Sequence, residues 1–353
     1  MPENPAGDDV AARAILAAWP LTPSGLHRLR SGLINATWRV DVEAGAPVIL
    51  QRLHSGLPPE VNLNIAAVTR WLADRHHLTP RLHATRTGDL WQMSGDAVWR
   101  VMDCIDGESF HALPSVAHAV TAGRMLADFH AALEDFSAPL PWQRAPVHVP
   151  ARHREFLQQT LSTRGDHPQY AAVTALAGAL MSALDALPPL PATPTRLLHG
   201  DPKLSNLLFG PAASPRCLVD LDTLALANLP FELGDALRSW CNPLPEDATE
   251  GLFNFEFLEG ALAGYAERSQ GFITPDEVTS IITATETVFI ELAMRFAADT
   301  LNESYFGWDP HRFESRAAHN LLRAQNQWRC AQLLGAQRAR ADALVKAAFG
   351  LVV

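Results

Sequence analysis

The sequence predicts an α+β protein of two lobes: a small N-terminal lobe built on an antiparallel sheet, and a larger, mostly helical C-terminal lobe. Three observations favour this class. Strand-like runs follow one another in the first part of the chain, helical periodicity dominates the rest, and a polar loop lies between two apolar runs at 197–209. A chain of 353 residues, 48% hydrophobic, can bury cores of this size. We expect the lobes to comprise residues 1–105 and 106–353.

The N-terminal lobe is predicted to contain two helices and five strands. One helix covers Val10–Trp19, after two acids and before Pro20, and the other follows Pro58-Pro59 and runs through about Arg75. The residue patterns predict the strands Leu26–Arg30, Leu33–Val42, Val48–Leu53, Leu90–Met93 and Ala97–Val101.

The C-terminal lobe is predicted to be mainly helical. The helical segments are Val116–Leu133, Arg152–Leu161, Ala171–Leu187, a long helix beginning at Thr274, Ala317–Leu334 and Ala339–Phe349. Thr274 is predicted as an N-cap because a proline and two acids follow it. His130 is predicted to be a structural hydrogen-bonding residue because no second histidine lies at a metal-binding spacing.

Composition limits the classes of function. The net charge of −10 argues against nucleic-acid binding, because a phosphate backbone selects basic surfaces. The four cysteines show neither a CxxC nor a zinc spacing, which favours reduced thiols. No signal peptide or membrane-spanning segment is recognised, because the most apolar long segment is interrupted by Asp185 and is too short. We expect a cytoplasmic protein with no membrane or nucleic-acid partner, either a monomer or a homodimer.

The most informative stretch is His199-Gly200-Asp201-Pro202-Lys203-Leu204-Ser205-Asn206, followed one hairpin later by Asp220 and Asp222. Phosphoryl transfer from ATP needs a carboxylate for the acceptor hydroxyl, oxygen ligands for Mg²⁺ and a cation for the γ-phosphate. Asp201 is the candidate base and Lys203 the candidate cation. Asn206 and Asp220 are the candidate Mg²⁺ ligands. Asp222 is a metal-adjacent acid that could exchange roles with Asp220, and the Asp201–Asn206 spacing matches the kinase catalytic loop.

A second phosphate cation would have to be an arginine, because Lys203 and Lys346 are the only lysines. On the third predicted strand, Gln51 or Arg52 could face a nucleotide, and the sequence does not fix the phase of the side chains. Arg52 is favoured for its charge. Glu60, Asn62 and Asn64 are candidate partners for that arginine.

Several blocks together carry a resemblance to a known family. They are the loop just described, Ser31–Trp38, Ile49–Arg52, Trp99–Met102, Val219–Thr223, Gly234–Arg238, Glu291–Phe296 and Tyr305-Phe306. The loop resembles that of the aminoglycoside phosphotransferase and choline kinase family, which has a bilobal protein-kinase-like fold. The outlying blocks are similar to the N-acetylhexosamine 1-kinases. The resemblance covers residues 25 to 335.

The resemblance implies an ATP- and Mg²⁺-dependent kinase that acts on a small-molecule sugar or another hydroxylated acceptor. It implies that the backbone of the Ser31-Gly32 turn approaches the phosphates, and that the segment of Met102, Asp103, Cys104 and Ile105 is the hinge that binds adenine. It also implies that Asp235 braces the catalytic loop. Arg295 and Tyr305 would reach the sugar.

Two departures from the sugar-kinase pattern bear on the acceptor. Leu33 stands where a sugar-contacting histidine is expected, and Asn302-Glu303 replaces a Gly-Asp pair. The alternatives are a kinase for an aminoglycoside, an amino alcohol or another sugar, for which Glu246, Asp247 and Glu250, or Glu256 and Glu259, could bind a cation. A non-catalytic kinase-like binding module is a further alternative, which predicts the loss of Asp201, Asn206 or Asp220; all three are present.

Overall fold

The computed structural model describes residues 5–29 and 35–351. The chain forms two compact units. The first comprises residues 1–107, 135–144 and 219–224, and the second comprises the remainder. The single predicted boundary at 105/106 differs from this division, because the chain returns to the first unit twice. The second of these returns carries Asp220 and Asp222.

A five-stranded antiparallel sheet forms the first unit, with strand order β1-β2-β3-β5-β4. The elements in chain order are α1 (Pro5–Ile15), β1 (Pro23–Leu29), β2 (Ala36–Val42), β3 (Val48–Arg52), α2 (Val61–Asp74), β4 (Gln92–Ser94) and β5 (Ala97–Asp103). One face of the sheet packs Trp38, Leu50 and Trp99 against Leu16 and Trp19, which follow from α1. These five side chains are the centre of the first core.

The second unit is mostly helical and contains two short strand pairs. Its elements are α3 (Val116–Leu133), α4 (Pro150–Thr163), α5 (Tyr170–Ala186), β6 (Thr195–Leu198), β7 (Leu207–Phe209), β8 (Pro215–Leu218), β9 (Ala225–Asn228), α6 (Leu229–Trp240), α7 (Phe255–Ser269), α8 (Pro275–Asn302), α9 (Arg316–Ala336) and α10 (Arg338–Phe349). Strand β6 pairs with β9 and β7 with β8, each antiparallel. The N-terminal sheet and the helical remainder confirm the predicted α+β class.

Helix α8 is the central helix of the second unit and is buried along most of its length. Its start is the predicted N-cap: Thr274 Oγ1 accepts the Glu277 amide at 3.2 Å, and the Glu277 carboxylate accepts the Thr274 amide at 2.8 Å. This capping box satisfies backbone donors that a helix leaves open. The long buried helix holds Glu291 and Arg295 in fixed positions.

Helix α7 was not predicted from the sequence, because Gly260 and Gly264 interrupt its pattern. A Cβ on Gly264 would lie 2.0 Å from the carbonyl oxygen of Val120 in α3, and a Cβ on Gly123 of α3 would lie 2.1 Å from the carbonyl oxygen of Ala261 in α7. Gly264, which weakens the helix signal of α7, and Gly123 of α3 are therefore the residues that let the two helices approach backbone to backbone.

Candidate active site

The loop between β6 and β7 brings together three of the predicted residues. The Lys203 ammonium contacts Asp201 Oδ2 directly. The Asn206 amide nitrogen donates to the Asp201 backbone oxygen at 2.9 Å and to Asp201 Oδ2 at 3.3 Å. The side chain of Asp201 remains 24% exposed. Because the nitrogen of the Asn206 amide is committed to Asp201, its oxygen is the atom that can serve a cation.

Glu232 on α6 holds the backbone of this loop. Its two carboxylate oxygens accept the amides of His199 and Gly200, each at 2.8 Å. Gly200 has φ +83°, a conformation that favours glycine. His130 Nε2 lies 3.3 Å from Glu232 Oε1, which confirms the structural role predicted for this histidine. Burial alone would raise the pKa of Glu232, but the His130 hydrogen bond and the nearby charge hold that pKa below its usual value.

Two further residues of α6 contact the same loop. Ser239 Oγ accepts the Leu204 amide at 3.0 Å, and the Trp240 indole donates to the Pro202 carbonyl at 2.9 Å. Together with Glu232, these contacts fix the loop backbone on both sides of Asp201.

Asp235, which the resemblance implied as a brace of the loop, pairs with Arg238, and its bracing role stays a prediction; Glu232 accepts the loop amides. The Arg238 guanidinium donates to Asp235 Oδ1 at 2.9 Å, and both side chains are buried. Burial opposes ionisation of Asp235, yet Arg238 and His148 hold the pKa of this carboxyl below its usual value. Glu232 lies one helical turn earlier and reaches the loop, and no local motif in the sequence distinguishes it from an ordinary first-turn acid.

A second cluster in the helical unit joins α6, α8 and the chain before α4. His148 Nδ1 is 3.2 Å from Glu291 Oε1, and His148 Nε2 is 4.0 Å from Asp235 Oδ2. His153 Nε2 is 3.4 Å from the same Glu291 oxygen. Although burial opposes it, Glu291 and Asp235 raise the pKa of His148, whereas burial lowers the pKa of His153. The sequence analysis did not identify either histidine, because neither occurs in a motif.

Arg295 and Tyr305 both lie against the ring of Phe306. The Arg295 guanidinium lies 5.6 Å from the centroid of the Phe306 ring, and the Tyr305 ring packs edge-on against Phe306 with centroids 4.9 Å apart. The Tyr305 side chain is exposed. Asp299 of α8 accepts the backbone amides of residues 304 to 306 at 2.8–2.9 Å, so it fixes the turn that carries Tyr305.

The departure at Asn302-Glu303 is explained by packing. Asn302 accepts from Arg164 and donates to Thr160, while Glu303 accepts the Ala317 amide. These side chains tie the end of α8 to neighbouring helices.

The segment 219–224 belongs to the first unit. Asp220 has a left-handed backbone conformation, with φ 65° and ψ 57°. Asp222 is buried, with 4% of the residue exposed. Arg100 pairs with one of its carboxylate oxygens, and Asn35 donates to the other. Asp222 was predicted as a metal-adjacent acid that could replace Asp220. Both of its carboxylate oxygens are paired with protein groups, and Asp220 stays the predicted ligand.

Arg52, which was predicted to face the phosphates, projects from the face of the sheet opposite to that of Gln51 and Arg100, and its phosphate contact stays a prediction. Its side chain lies on the α1 side of the sheet, with Nη1 2.6 Å from Asp8 Oδ1. Gln51 projects from the other face, opposite Arg100 in the β3–β5 register. The strand phase that the sequence left open therefore places Gln51, and not Arg52, on the face of Arg100. Of the three candidate partners, Asn62 contacts Arg100, Asn64 binds the backbone of Trp142, and Glu60 is an exposed residue just before α2.

The predicted hinge lies at the end of β5. Met102 and Asp103 are the last residues of this strand, and Cys104 and Ile105 follow it. The Asp103 carboxylate binds His83 Nε2 at 2.7 Å and the Arg81 amide at 3.1 Å, so this side chain has a structural role. Binding of adenine by this backbone stays a prediction. Ser31, Gly32 and Leu33 lie outside the described residues.

Residues 5–29 and 35–351 contain neither a preformed metal cluster of His, Cys, Asp or Glu side chains nor a membrane-spanning helix. No group of three or more His, Cys, Asp or Glu side chains in them is arranged to hold a metal ion. No helix formed by these residues is sufficiently long and apolar to span a bilayer.

Comparison with known proteins shows that the sequence matches a family and that the fold matches solved structures. The sequence model of a family described as "Phosphotransferase enzyme family" matches residues 25–269. Among solved structures, the chain is similar to amicoumacin kinase hAmiN in complex with AMP-PNP, Ca²⁺ and Ami, with a TM-score of 0.65, 14% identity, and coverage of 92% of this chain and 93% of that one.

Two further structures show the same fold. The microcompartment-associated aminopropanol kinase has a TM-score of 0.64 and 17% identity, over 95% of this chain and 98% of that one. A choline/ethanolamine kinase family protein from Mesorhizobium loti has a TM-score of 0.58 and 19% identity, over 96% and 99%. These similarities confirm the predicted kinase-like fold and the predicted resemblance to aminoglycoside phosphotransferases and choline kinases.

Proposed function

This chain belongs to the phosphotransferase enzyme family, and we propose that it is an ATP- and Mg²⁺-dependent kinase that phosphorylates the anomeric hydroxyl of an N-acetylhexosamine. The products would be the sugar 1-phosphate and ADP. The observation that carries the proposal is the loop in which Lys203 and Asn206 both contact Asp201, with its backbone held by Glu232.

Asp201 is the base of the proposed reaction. Its carboxylate is partly exposed and would orient the acceptor hydroxyl and take its proton as the new oxygen–phosphorus bond forms. The bond between the γ-phosphorus and the bridging oxygen breaks, and the electron pair leaves with ADP. Lys203 sits beside the base and is the cation proposed for the γ-phosphate.

Asn206 and Asp220 are the residues proposed to hold Mg²⁺. An amide oxygen and a carboxylate fit this ion, which is commonly bound through one or two carboxylates together with substrate phosphates and water. When bound, the metal neutralises charge on the phosphates. The amide nitrogen of Asn206 points its hydrogens at Asp201, which leaves the oxygen for the metal.

The charge pattern of the helical unit supports an uncharged acceptor. Glu246 binds Arg238 at 3.0 Å, and Asp247 binds Arg312 at 2.7 Å, so two of the acids considered for a cationic acceptor already have arginine partners. An ammonium group needs unpaired acids. A polyhydroxylated sugar instead needs donors and acceptors of both kinds, such as His148, Glu291 and Arg295 offer.

The N-acetylhexosamine assignment rests on the sequence blocks described above and on the two side chains that meet at Phe306. Arg295 and the exposed Tyr305 would contact the sugar hydroxyls or its acetamide. The alternative is another hydroxylated acceptor on the same scaffold. Structural neighbours named as amicoumacin and aminopropanol kinases illustrate that range, and Leu33 is the position at which such a divergence would arise.

The test is ADP release from ATP and Mg²⁺ with a panel of acceptors: N-acetylglucosamine, N-acetylgalactosamine, unacetylated hexoses, aminoglycosides and choline. Turnover with an N-acetylhexosamine is expected, and the Asp201→Asn variant should lose on the order of 10²- to 10⁴-fold in kcat. Thr279→Ala, an exposed change on α8, is the control. Turnover with only another acceptor would support the kinase assignment and reject the N-acetylhexosamine assignment. Unchanged turnover in Asp201→Asn would reject Asp201 as the base.

A further inference from the structure

Tyr265, His130 and Glu232 form a buried chain of polar groups that ends at the loop of Asp201. They lie on three different helices, α7, α3 and α6, and each residue is 3% exposed. The Tyr265 hydroxyl lies 2.8 Å from His130 Nδ1, and His130 Nε2 lies 3.3 Å from Glu232 Oε1. Polar groups buried this deeply need partners, and here each group is the partner of the next.

The chemistry of the two ends assigns the hydrogens of His130. The pKa of Glu232 is held below its usual value, so its carboxylate only accepts and His130 Nε2 must carry a hydrogen. Burial raises the pKa of Tyr265 well above its usual value, so the hydroxyl keeps its proton and can donate. The Nε2–H tautomer, with Nδ1 open to the Tyr265 hydroxyl, gives every hydrogen of the chain an acceptor.

The chain reaches the loop through Glu232. The carboxylate oxygen that faces His130 also accepts the His199 amide, and the other oxygen accepts the Gly200 amide, each amide at 2.8 Å. Hydrogen bonds in series at low dielectric strengthen one another. The direction in which Glu232 presents its oxygens to the two amides before Asp201 therefore depends on His130.

Tyr265 is itself held firmly against α3. Gly264, its neighbour on α7, brings the two helices so close that a Cβ there would lie 2.0 Å from the Val120 carbonyl oxygen. The rings of Tyr265 and His130 pack edge-on with centroids 5.8 Å apart, and Phe272 packs edge-on at 6.4 Å from each. The hydroxyl thus meets Nδ1 from a position that the helix packing determines.

We propose that His130 is a positioning residue for phosphoryl transfer, that Tyr265 fixes its tautomer, and that both act through Glu232 on the backbone beside Asp201. The inference rests on the proposed function, because Asp201 is there the base. Both side chains are buried, so they would affect the reaction only through the loop. The effect can be large, because misplacing a reacting group by about 1 Å can cost about 10²-fold in rate.

Two amide variants separate the two nitrogens of the imidazole. His130→Gln carries its amide nitrogen near the place of Nε2 and can still donate to Glu232, whereas His130→Asn carries it near the place of Nδ1 and is one methylene too short. Tyr265→Phe removes only the hydroxyl. The matched control is Tyr170→Phe, which removes a tyrosine hydroxyl at the first residue of α5.

The first measurement is hydrogen exchange of a loop peptide that contains His199 and Gly200, with a peptide of α8 as the reference for global unfolding. Short labelling times report local opening, and no substrate is needed. Loop exchange should be about tenfold faster in His130→Asn and about threefold faster in Tyr265→Phe, while α8 stays protected. In His130→Gln and Tyr170→Phe it should stay within about twofold of the unchanged protein. Faster exchange in both peptides alike would indicate general destabilisation and would contradict the positioning role.

The second measurement is the tautomer of His130 by nitrogen NMR, with the ring signals assigned by their loss in His130→Gln. A protonated Nε2 and an unprotonated Nδ1 are expected in the unchanged protein. In Tyr265→Phe the signals should move towards a mixture of tautomers. A protonated Nδ1 in the unchanged protein would contradict the role of Tyr265.

The third measurement is ADP release from ATP and Mg²⁺ with N-acetylglucosamine. The kcat should fall about tenfold or more in His130→Asn and about threefold in Tyr265→Phe, with both KM values unchanged within about threefold. His130→Gln should keep most of the kcat because the donor to Glu232 is restored, and Tyr170→Phe should keep all of it. Tyr265→Phe retains the ring, so it decides the question if His130→Asn does not fold.

Two results would overturn the inference. One is loop exchange that is the same in His130→Gln and His130→Asn. The other is a kcat that is the same in the unchanged protein, Tyr265→Phe and His130→Asn. A failure of the proposed function looks different, because the unchanged protein would then release no ADP while the exchange contrast between the two amide variants remained.

Discussion

Glu232 shows how much one side chain contributes to the geometry of the loop. A buried carboxylate is costly unless each oxygen has a partner, and here both oxygens accept backbone amides next to Asp201. Its residue exposure is 3%. The interaction therefore fixes the backbone of the proposed base while Asp201 itself stays accessible.

Replacing Glu232 with Gln should lower the free energy of unfolding by roughly 3 kcal/mol. The NH₂ group of Gln is a donor, so it would face a backbone N–H that a carboxylate oxygen accepts in the unchanged protein. Urea unfolding checks this, with Glu259→Gln on the exposed surface of α7 as the control. The kcat should fall as well, since the loop backbone moves. Equal stability of the two variants would contradict the bracing role.

The pH dependence gives a second measure of the same residue. In the unfolded chain the carboxyl has its ordinary pKa of about 4.3, and in the folded protein the pKa is lower. The stabilisation is therefore fully present above the ordinary pKa and is lost as the pH falls through the lower folded value. Unfolding midpoints measured from pH 6 downwards should fall more steeply for the unchanged protein than for Glu232→Gln.

Among the elements, helices α3 and α7 depend on glycine for their packing. A Cβ at Gly264 would meet a backbone oxygen, which cannot rotate away as a side chain can. The α3–α7 contact also carries His130 and Tyr265, whose Nδ1 and hydroxyl lie 2.8 Å apart. The approach of these two helices thus supports the histidine that contacts Glu232.

Substituting Gly264 with Ala should destabilise the protein by about 3 kcal/mol, because the helices must separate. The same substitution at Gly178, an exposed position on α5 with open space around its Cβ, should stabilise it by roughly 0.5–1 kcal/mol. Thermal unfolding of both variants measures the two opposite shifts. A stabilising Gly264→Ala would show that the close approach is not required.

At the scale of the whole molecule, the proposed activity predicts a link between ligand and stability. A ligand that binds only the folded state stabilises it by about 2.7 kcal/mol at about 100 times its Kd. A non-hydrolysable ATP analogue with Mg²⁺ should therefore raise the unfolding temperature, and EDTA should remove most of the increase.

The Asp220→Asn variant should show little difference between these two conditions if the proposed role holds, because the proposed metal ligand is lost. Glu256→Gln, an exposed change on α7 at a distance in sequence from Asp220, serves as the control. A full Mg²⁺-dependent increase in Asp220→Asn would argue against Asp220 as the ligand.

The sequence by itself determined the features that local chemistry encodes. The order of strands and helices, the bounds Val116–Leu133 of α3 and the N-cap at Thr274 follow from spacing within a few turns of chain. Asp201, Lys203 and Asn206 could be predicted as a group because one short loop carries all three. Helix α7 and strand β9 were not predicted, since the glycines of α7 and the shortness of β9 leave weak local patterns.

Only the tertiary structure decided which charged groups pair. It showed that Glu232 holds the loop backbone, because the reach and direction of a side chain depend on how its helix packs. It placed Arg52 against Asp8 and Arg100 against Asp222, because strand phase and register determine which face a side chain joins. Partners so distant in sequence meet only when the chain folds, so no spacing in the sequence records them.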